Sequence, residues 1–348
     1  MALLRGQLRR PIRNDLWVLG AVFIISGLLV AAIPSEETGA NVLVAVRLFL
    51  VLGPFAALFK HLGRGPRFEG KVLRWYVYGS AASAAVAAGQ ALGVVGFAQV
   101  PGITNRFLGL AEHFNDLGGT LAIGLVASIF GNSTLARPVR VLIPLTIVIG
   151  LFLSGSVTGN LAASAGIAWG FYRSSSRRHR RAAFAVVGLV LATLLVVALN
   201  NRSTLEDRLQ VVTKGAGGEQ GTLFSRIDSM SSALHRIEDS PLLGRGSSAK
   251  EAAVLKDGTA THNIVLLYWY QSGLLGVLGL LLVLHAATRR SRRRLAPATN
   301  AMLVAALIYS LTAPIQFHRY FWLPVLMALA CRPLQTRGSK SPRVVLAA

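Results

Sequence analysis

The sequence is short of cysteine and short of acid. One cysteine, Cys331, stands in 348 residues, which excludes an internal disulfide framework and a cysteine-based zinc cluster. It lies in a closing apolar run and reads as a small buried hydrophobe. Only 14 Asp and Glu stand against 36 Lys and Arg, a formal net charge of +22. In a soluble domain that excess would point to nucleic acid. Here 53% of the residues are hydrophobic and 14% charged, and the basic residues fall in short runs between apolar stretches, so no nucleic-acid partner is expected. The chain also lacks a phosphate-binding Walker sequence, a D-x-D pair and H-E-x-x-H, and with them the usual motifs for a metal or nucleotide cofactor.

What is present is apolar sequence in lengths suited to a bilayer, about 17 to 25 residues each. Ten runs qualify as candidate spans: Leu16–Ile33, Val42–Leu62, Val72–Phe97, Leu117–Gly131, Val139–Leu153, Asn160–Tyr172, Ala182–Leu199, Asn263–Ala286, Ala298–Ala313 and Tyr320–Leu334. The fourth to sixth are short and Gly-rich, as helices buried among neighbours are. The first follows Arg5, Arg9, Arg10 and Arg13; it is longer than a signal-peptide core and no small-x-small site follows it, so it reads as an uncleaved span. The expected fold is an all-α membrane protein, a polytopic bundle of about ten transmembrane helices.

Basic residues orient the bundle. Lys60 to Arg74, Arg137 to Arg140, Arg173 to Arg181, Arg289 to Arg294 and the tail from Arg332 to Arg343 all fall on the side of the N-terminus. The positive-inside rule then makes both termini cytoplasmic. The expected organisation is spans one to seven over residues 1–199, a large extracytoplasmic loop over 200–261, spans eight to ten over 262–334, and a cytoplasmic tail over 335–348. The loop holds eight of the 14 acidic residues, and loops of this length are usually functional. It contains short amphipathic helices: Thr204–Thr213 and Thr222–Ile237 have helical periodicity, the second with Leu223, Ile227, Met230, Leu234 and Ile237 on one stripe. Pro241 ends that helix, and Gly244 and Gly246 allow a tight turn.

After the loop, His262 and Asn263 stand at the head of the eighth span, with Gly273 and Gly276 further along it. The pattern I-x-D-S-P-L-L-G-x-G at Ile237 to Gly246, followed by H-N-x9-G-x-x-G from His262, resembles the O-antigen ligase and polymerase family of bacterial envelope glycosyltransferases. Upstream, Asn105-Arg106-Phe-Leu-Gly109 followed by His113-Phe-Asn115 is similar to the family's R-x-x-G and H-P-N segment, with Phe114 in place of the proline. The resemblance covers most of Trp75 to Pro333. It implies an enzyme of the inner membrane acting without metal or cofactor on polyprenyl-diphosphate-linked glycans at the outer leaflet. The acceptor would be a second glycan or a glycolipid, and polymerase and ligase differ only in that acceptor. Membrane lipids and other proteins of a polysaccharide assembly system are the implied partners.

Read as chemistry, His262 titrates near neutrality, which suits a general base or a phosphate ligand; the plainer reading is an interfacial histidine marking a helix start. Asn263 would orient His262 or cap the helix. Arg226, Arg236 and Arg245 precede them, and a guanidinium fork matches phosphate oxygens; ion pairs with Asp228, Glu238 and Asp239 are the competing explanation. The resemblance singles out Arg226, and with His262 it forms the expected catalytic pair. Arg106, His113, Asn115, Asn263 and Arg236 are expected substrate contacts. Arg47, several residues inside the second span, is costly there and joins them, although its side chain is long enough to reach the headgroups.

One departure bears on activity. Where relatives read S-G-S-R-x-G, this chain reads Ser154-Gly155-Ser156-Val157-Thr158-Gly159. Arg47 or Arg106 supplies the missing charge, or the donor differs, or the chain is an inactive membrane partner of an assembly machine. A transporter or flippase for lipid-linked sugars is the rival from another class; it accounts for the spans and Arg47 but not for a long loop poised over a His-Asn helix start.

Overall fold

The computed structural model describes residues 16–63, 68–96, 106–131, 137–173, 222–248, 261–292, 297–313 and 318–330. They form ten helices and no strand. These are α1 (Leu16–Ala32), α2 (Thr38–Leu62), α3 (Phe68–Ala91), α4 (Phe114–Gly131), α5 (Arg137–Ser154), α6 (Val157–Arg173), α7 (Thr222–Asp239), α8 (Ile264–Arg292), α9 (Pro297–Ser310) and α10 (Arg319–Ala330). Three of them, α2, α4 and α8, are long and apolar enough to cross a membrane, and α1, α5, α9 and α10 are shorter apolar helices. The molecule is a helical, multi-pass membrane protein. Nine of the ten expected spans coincide with a helix; the seventh, Ala182–Leu199, and the helix expected over Thr204–Thr213 lie outside the described residues.

The helices assemble through small residues, as membrane helices do when no water drives them together. The closest pair is α1 with α8. A Cβ on Gly20 would come 2.6 Å from the Gly279 carbonyl oxygen, and one on Gly27 would come 2.6 Å from that of Ser272. At the centre lies α4, buried almost continuously from Leu117 to Ser128 and packed on α3, α5, α6 and α9. In α2 the helix widens into a π-helical turn at Val51–Phe55, which contains Pro54; a proline cannot donate to the ladder, and a π turn absorbs the missing bond.

Two features differ from the sequence expectation. The apolar stripe of α7 does not face inward as a whole: Ile227 and Leu234 are exposed, while Ser229, Ala233 and Ile237 are buried. Ala233 and Ile237 pack on Tyr270, with Leu266 and Trp269 beside them. The aromatic bulk comes from α8, so the face of α7 that approaches it must carry small side chains, and periodicity of large apolar residues picks the wrong stripe. The eighth span is also not continuous. Gly273 has φ 63° and ψ −162° inside α8, a conformation closed to residues with a Cβ.

The break in α8 is filled by the turn that follows α7. The amide of Arg245 donates to the Tyr270 carbonyl at 2.9 Å and that of Gly246 to Gln271 at 3.1 Å, while Leu274 donates to Leu242 at 3.2 Å. Carbonyls and an amide released by the broken ladder are thus satisfied by a foreign segment, as buried backbone requires. The fit admits no side chain. A Cβ on Gly273 would lie 2.1 Å from the Leu242 oxygen, and one on Gly244 would lie 2.5 Å from the Gly273 nitrogen. Beyond it, buried Asn41 at the start of α2 accepts through Oδ1 from the Ser247 amide, the Ser247 hydroxyl (3.2 Å) and the Ser248 amide (2.6 Å).

Candidate functional site

The polar residues gather at one end of the bundle in two adjoining groups. The first is built on the start of α8. Asn263 caps that helix, its Oδ1 accepting from the amides of Val265 (2.9 Å) and Leu266 (3.2 Å), the bonding that makes Asn a preferred cap. Its Nδ2 donates to the Leu311 carbonyl at the end of α9. The cap fixes where His262 stands, and His262 Nδ1 lies 3.4 Å from the hydroxyl of fully buried Ser229 on α7. Arg236, further along α7, donates to the Tyr270 hydroxyl at 3.4 Å. Arg245 is paired with Asp239 at 2.7 Å, both side chains in solvent. Arg226 stands on α7 one turn before Ser229; its side chain lies outside what is described.

The second group surrounds the start of α4. Arg106 donates from Nε to the Ser154 carbonyl at 3.0 Å, and from Nη2 to Asn115 Oδ1 at 3.1 Å and the Gly155 carbonyl at 3.3 Å. Its guanidinium lies 3.3 Å over the Phe114 ring, a cation–π contact. Phe114, which replaces the expected proline, therefore has a function as the floor under Arg106. Gly155, at φ 61°, turns the chain from α5 into α6 against that side chain. Val157, in place of the family's arginine, is exposed at the start of α6, and Arg106 brings a guanidinium to the same turn. Arg47 is exposed on α2.

His113 accepts from the Asn115 amide through Nδ1 at 3.1 Å. In the neutral ring the hydrogen is then on Nε2. Desolvation lowers its pKa below the ordinary histidine value, Asp116 works against that, and Arg106 and His318 add to it. Asp116 ties α4 to α10. Its Oδ1 accepts from the Tyr320 hydroxyl at 3.1 Å and lies 3.5 Å from His318 Nε2, whose ring stacks on Tyr320 with centroids 5.0 Å apart. Tyr309 on α9 donates to the Asn115 carbonyl. The two groups meet through the end of α9, where Leu311 holds Asn263 and the Thr312 hydroxyl bonds Thr158 at 3.0 Å.

Ser229, Asp116, Tyr309, His318 and Tyr320 are site residues that sequence reasoning misses. Two signals exist. Asp116 is an acid in the first turn of a span, and His318 heads a span as His262 does; ionisable groups in such places have partners or work. Ser229 gives none, being one serine in a serine-rich helix.

A helical membrane protein with a cationic and imidazole-bearing polar site at one end of the bundle is the class these features define. Within that class, residues 142–284 match the family described as O-antigen ligase, a family of glycan-transferring enzymes. No curated protein matches the chain. The matched stretch takes in Val157, Arg226, Arg236, His262, Asn263 and both glycines of the G-x-x-G; Arg47, Arg106, His113, Asn115 and Asp116 fall before it and His318 after it.

Proposed function

We propose that the protein transfers or polymerises polyprenyl-diphosphate-linked glycans at the outer face of the cytoplasmic membrane. The observation that carries this reading is the placement of His262 by two independent supports, the Asn263 cap and buried Ser229, within the stretch that matches the ligase family. In this reading the N- and C-termini and the basic loops are cytoplasmic and the His262 end of the bundle is extracytoplasmic.

An acceptor oxygen attacks the anomeric carbon, and the diphosphate departs with the bonding electrons. Arg226 holds the departing charge, since fixed donors aimed at developing charge lower such barriers. His262 positions or protonates the same group, and Arg236 steadies the face of α8 beside it. Arg106, bonded to Asn115, places charge on the turn that lost its arginine at Val157; Asn115 and His113 contact the substrate beside it, and Arg47 meets the donor's phosphate from the lipid side. A metal ion has no assigned part.

The test supplies membranes containing the protein with a labelled polyprenyl-diphosphate oligosaccharide, with and without chelator. Ladders of repeat units indicate a polymerase, and a single transfer to a glycolipid a ligase. No change in either product overturns the proposal in favour of an inactive assembly partner; loss with chelator and rescue by magnesium overturns metal independence.

A further inference from the structure

Gly273 interrupts α8 at φ 63°, so residues 264–272, with His262 at their head, are not aligned by an unbroken helical ladder. Much of what holds this first part of α8 comes from one stretch of chain, α7 and the turn that follows it. Ser229 meets His262 at 3.4 Å, and Ala233 and Ile237 pack on Tyr270. The Pro241 carbonyl accepts from Trp269 Nε1 at 3.0 Å, and the amides of Arg245 and Gly246 donate to the carbonyls of Tyr270 and Gln271. The place of His262 therefore depends on where this stretch is itself secured.

It is secured at Asn41. That residue is fully buried near the start of α2, and its Oδ1 accepts from the Ser247 amide, the Ser247 hydroxyl and the Ser248 amide, directly after the turn. An amide oxygen has two lone pairs, and here three donors converge on it. The other end of the side chain is fixed too. Its Nδ2 donates to the Ser35 hydroxyl at 2.6 Å, that hydroxyl oxygen accepts from the Glu37 amide at 2.9 Å, and the Thr38 hydroxyl donates to the Ser35 carbonyl at 2.8 Å. The amide plane of Asn41 is thus locked to the turn between α1 and α2. Hydrogen bonds are directional where apolar packing is not, so a locked acceptor for two successive amides sets the position of a backbone as well as its depth.

We infer that Asn41 is a positioning residue for His262: it holds Ser247 and Ser248, they fix the turn at 242–246, and the turn aligns the part of α8 that carries the histidine. The inference rests on the glycan-transfer reading, in which His262 serves the transition state. Asn41 acts only through this chain of bonds, so its loss leaves the groups that bind the donor in place and spoils their alignment. A displacement of about 1 Å set off far from the chemistry can cost about 10²-fold in rate. Asn41 lies outside the stretch that matches the ligase family, and the turn between α1 and α2 joins the machinery through it.

The experiment measures transfer from a labelled polyprenyl-diphosphate glycan by the full-length protein in membranes, with kcat expressed per folded protein recovered in detergent. Asn41→Leu removes the acceptor and keeps the bulk. Asn41→Asp keeps an acceptor for the same three donors. Leu48→Ala, which truncates a fully buried apolar side chain of the same helix, is the control for lost stability alone. The expected result is a fall of about 10²-fold in kcat for Asn41→Leu with the donor KM near its wild-type value. Asn41→Asp should recover most of the wild-type kcat, and Leu48→Ala should lower the melting temperature with kcat kept. A wild-type kcat in Asn41→Leu overturns the assignment, as does an Asp variant no better than Leu. So does an equal loss of kcat in Leu48→Ala, for that is the signature of a purely structural residue. If Asn41→Leu does not insert, Asn41→Ala is measured in its place; failure of both to insert overturns the assignment, because Asn41 would then serve folding and not placement. A wild-type protein that makes no product overturns the glycan-transfer reading, and this inference with it.

Discussion

The two polar groups at the His262 end are built by different means. Around α7 and α8 the backbone does most of the work: the glycines at 244 and 273 and the amides laid into a broken helix. Around α4 side chains do it: Arg106 spans three partners, Asp116 reaches α10, and Tyr309 bonds the Asn115 carbonyl. Backbone construction depends on glycine and on chain direction, so it leaves a sequence signature with fixed spacing. Side-chain construction can be achieved with several residue types in several places. The first region lies in the stretch that matches the family; of the second, the turn at Ser154 to Thr158 lies within it, while Arg106, Asn115, Asp116, Tyr309 and Tyr320, whose side chains make the contacts, lie outside it.

The largest effects should come from α7 and the head of α8. Arg226→Lys keeps the charge but loses the fork, and should cost about 10²- to 10³-fold in turnover. His262→Ala should cost about 10²- to 10⁴-fold. Because the two serve one transition state, the double variant should fall far short of the product of the single losses. Normal insertion with near-wild-type transfer in both single variants would break the division between the regions.

Next in size is Gly273→Ala. The φ of 63° alone costs about 1–3 kcal/mol with a Cβ, and overlap with the Leu242 oxygen adds about 1–3 kcal/mol. Thermal unfolding in detergent should show a marked loss, where a substitution at Arg106 should weaken activity before stability. Asn41→Ala probes the same backbone construction from its far side. It removes the acceptor for the buried amides of Ser247 and Ser248, and losing such a bond costs about 1–3 kcal/mol. An unchanged melting temperature would mean the turn is not held from α2.

At His113, just before α4, the expected effect is on stability and depends on pH. The fold holds His113 below its ordinary pKa, so the unfolded chain binds the extra proton more readily. Stability from this group is complete above about pH 6.5 and declines as pH falls from there through the lowered folded value. Protonation puts a hydrogen on Nδ1, where the Asn115 amide already points. His113→Gln should flatten that part of the stability–pH curve. Smallest of all is Arg245→Ala: its partner Asp239 is exposed, and such pairs contribute about 0–1 kcal/mol, so transfer should hardly change.

Much of this arrangement is legible in the sequence. Long apolar runs locate helices because a bilayer sets their length, and nine of ten expected spans have a described helix. The helix expected over Thr222–Ile237 ends two residues later, at Asp239, just before Pro241. The break at Gly273 is visible only as a motif, since hydropathy does not register a single φ angle. The inward face of α7 is hidden because its partner supplies the bulk. Asp116 and His318 are 202 positions apart in sequence; nothing local announces a pair made by the packing of α4 near α10.

A straight helix is stiff because each turn is bonded to the next, so a force on one end arrives at the other. In α8 that continuity stops at Gly273, and the segment from Leu242 to Gly246 is bound across the gap like a splint across a fracture. The two halves are therefore aligned by a piece of chain that also carries α7. Any movement of α7 that slides this splint alters the angle at which His262 meets the rest of the bundle, without a residue of the lower half having to shift.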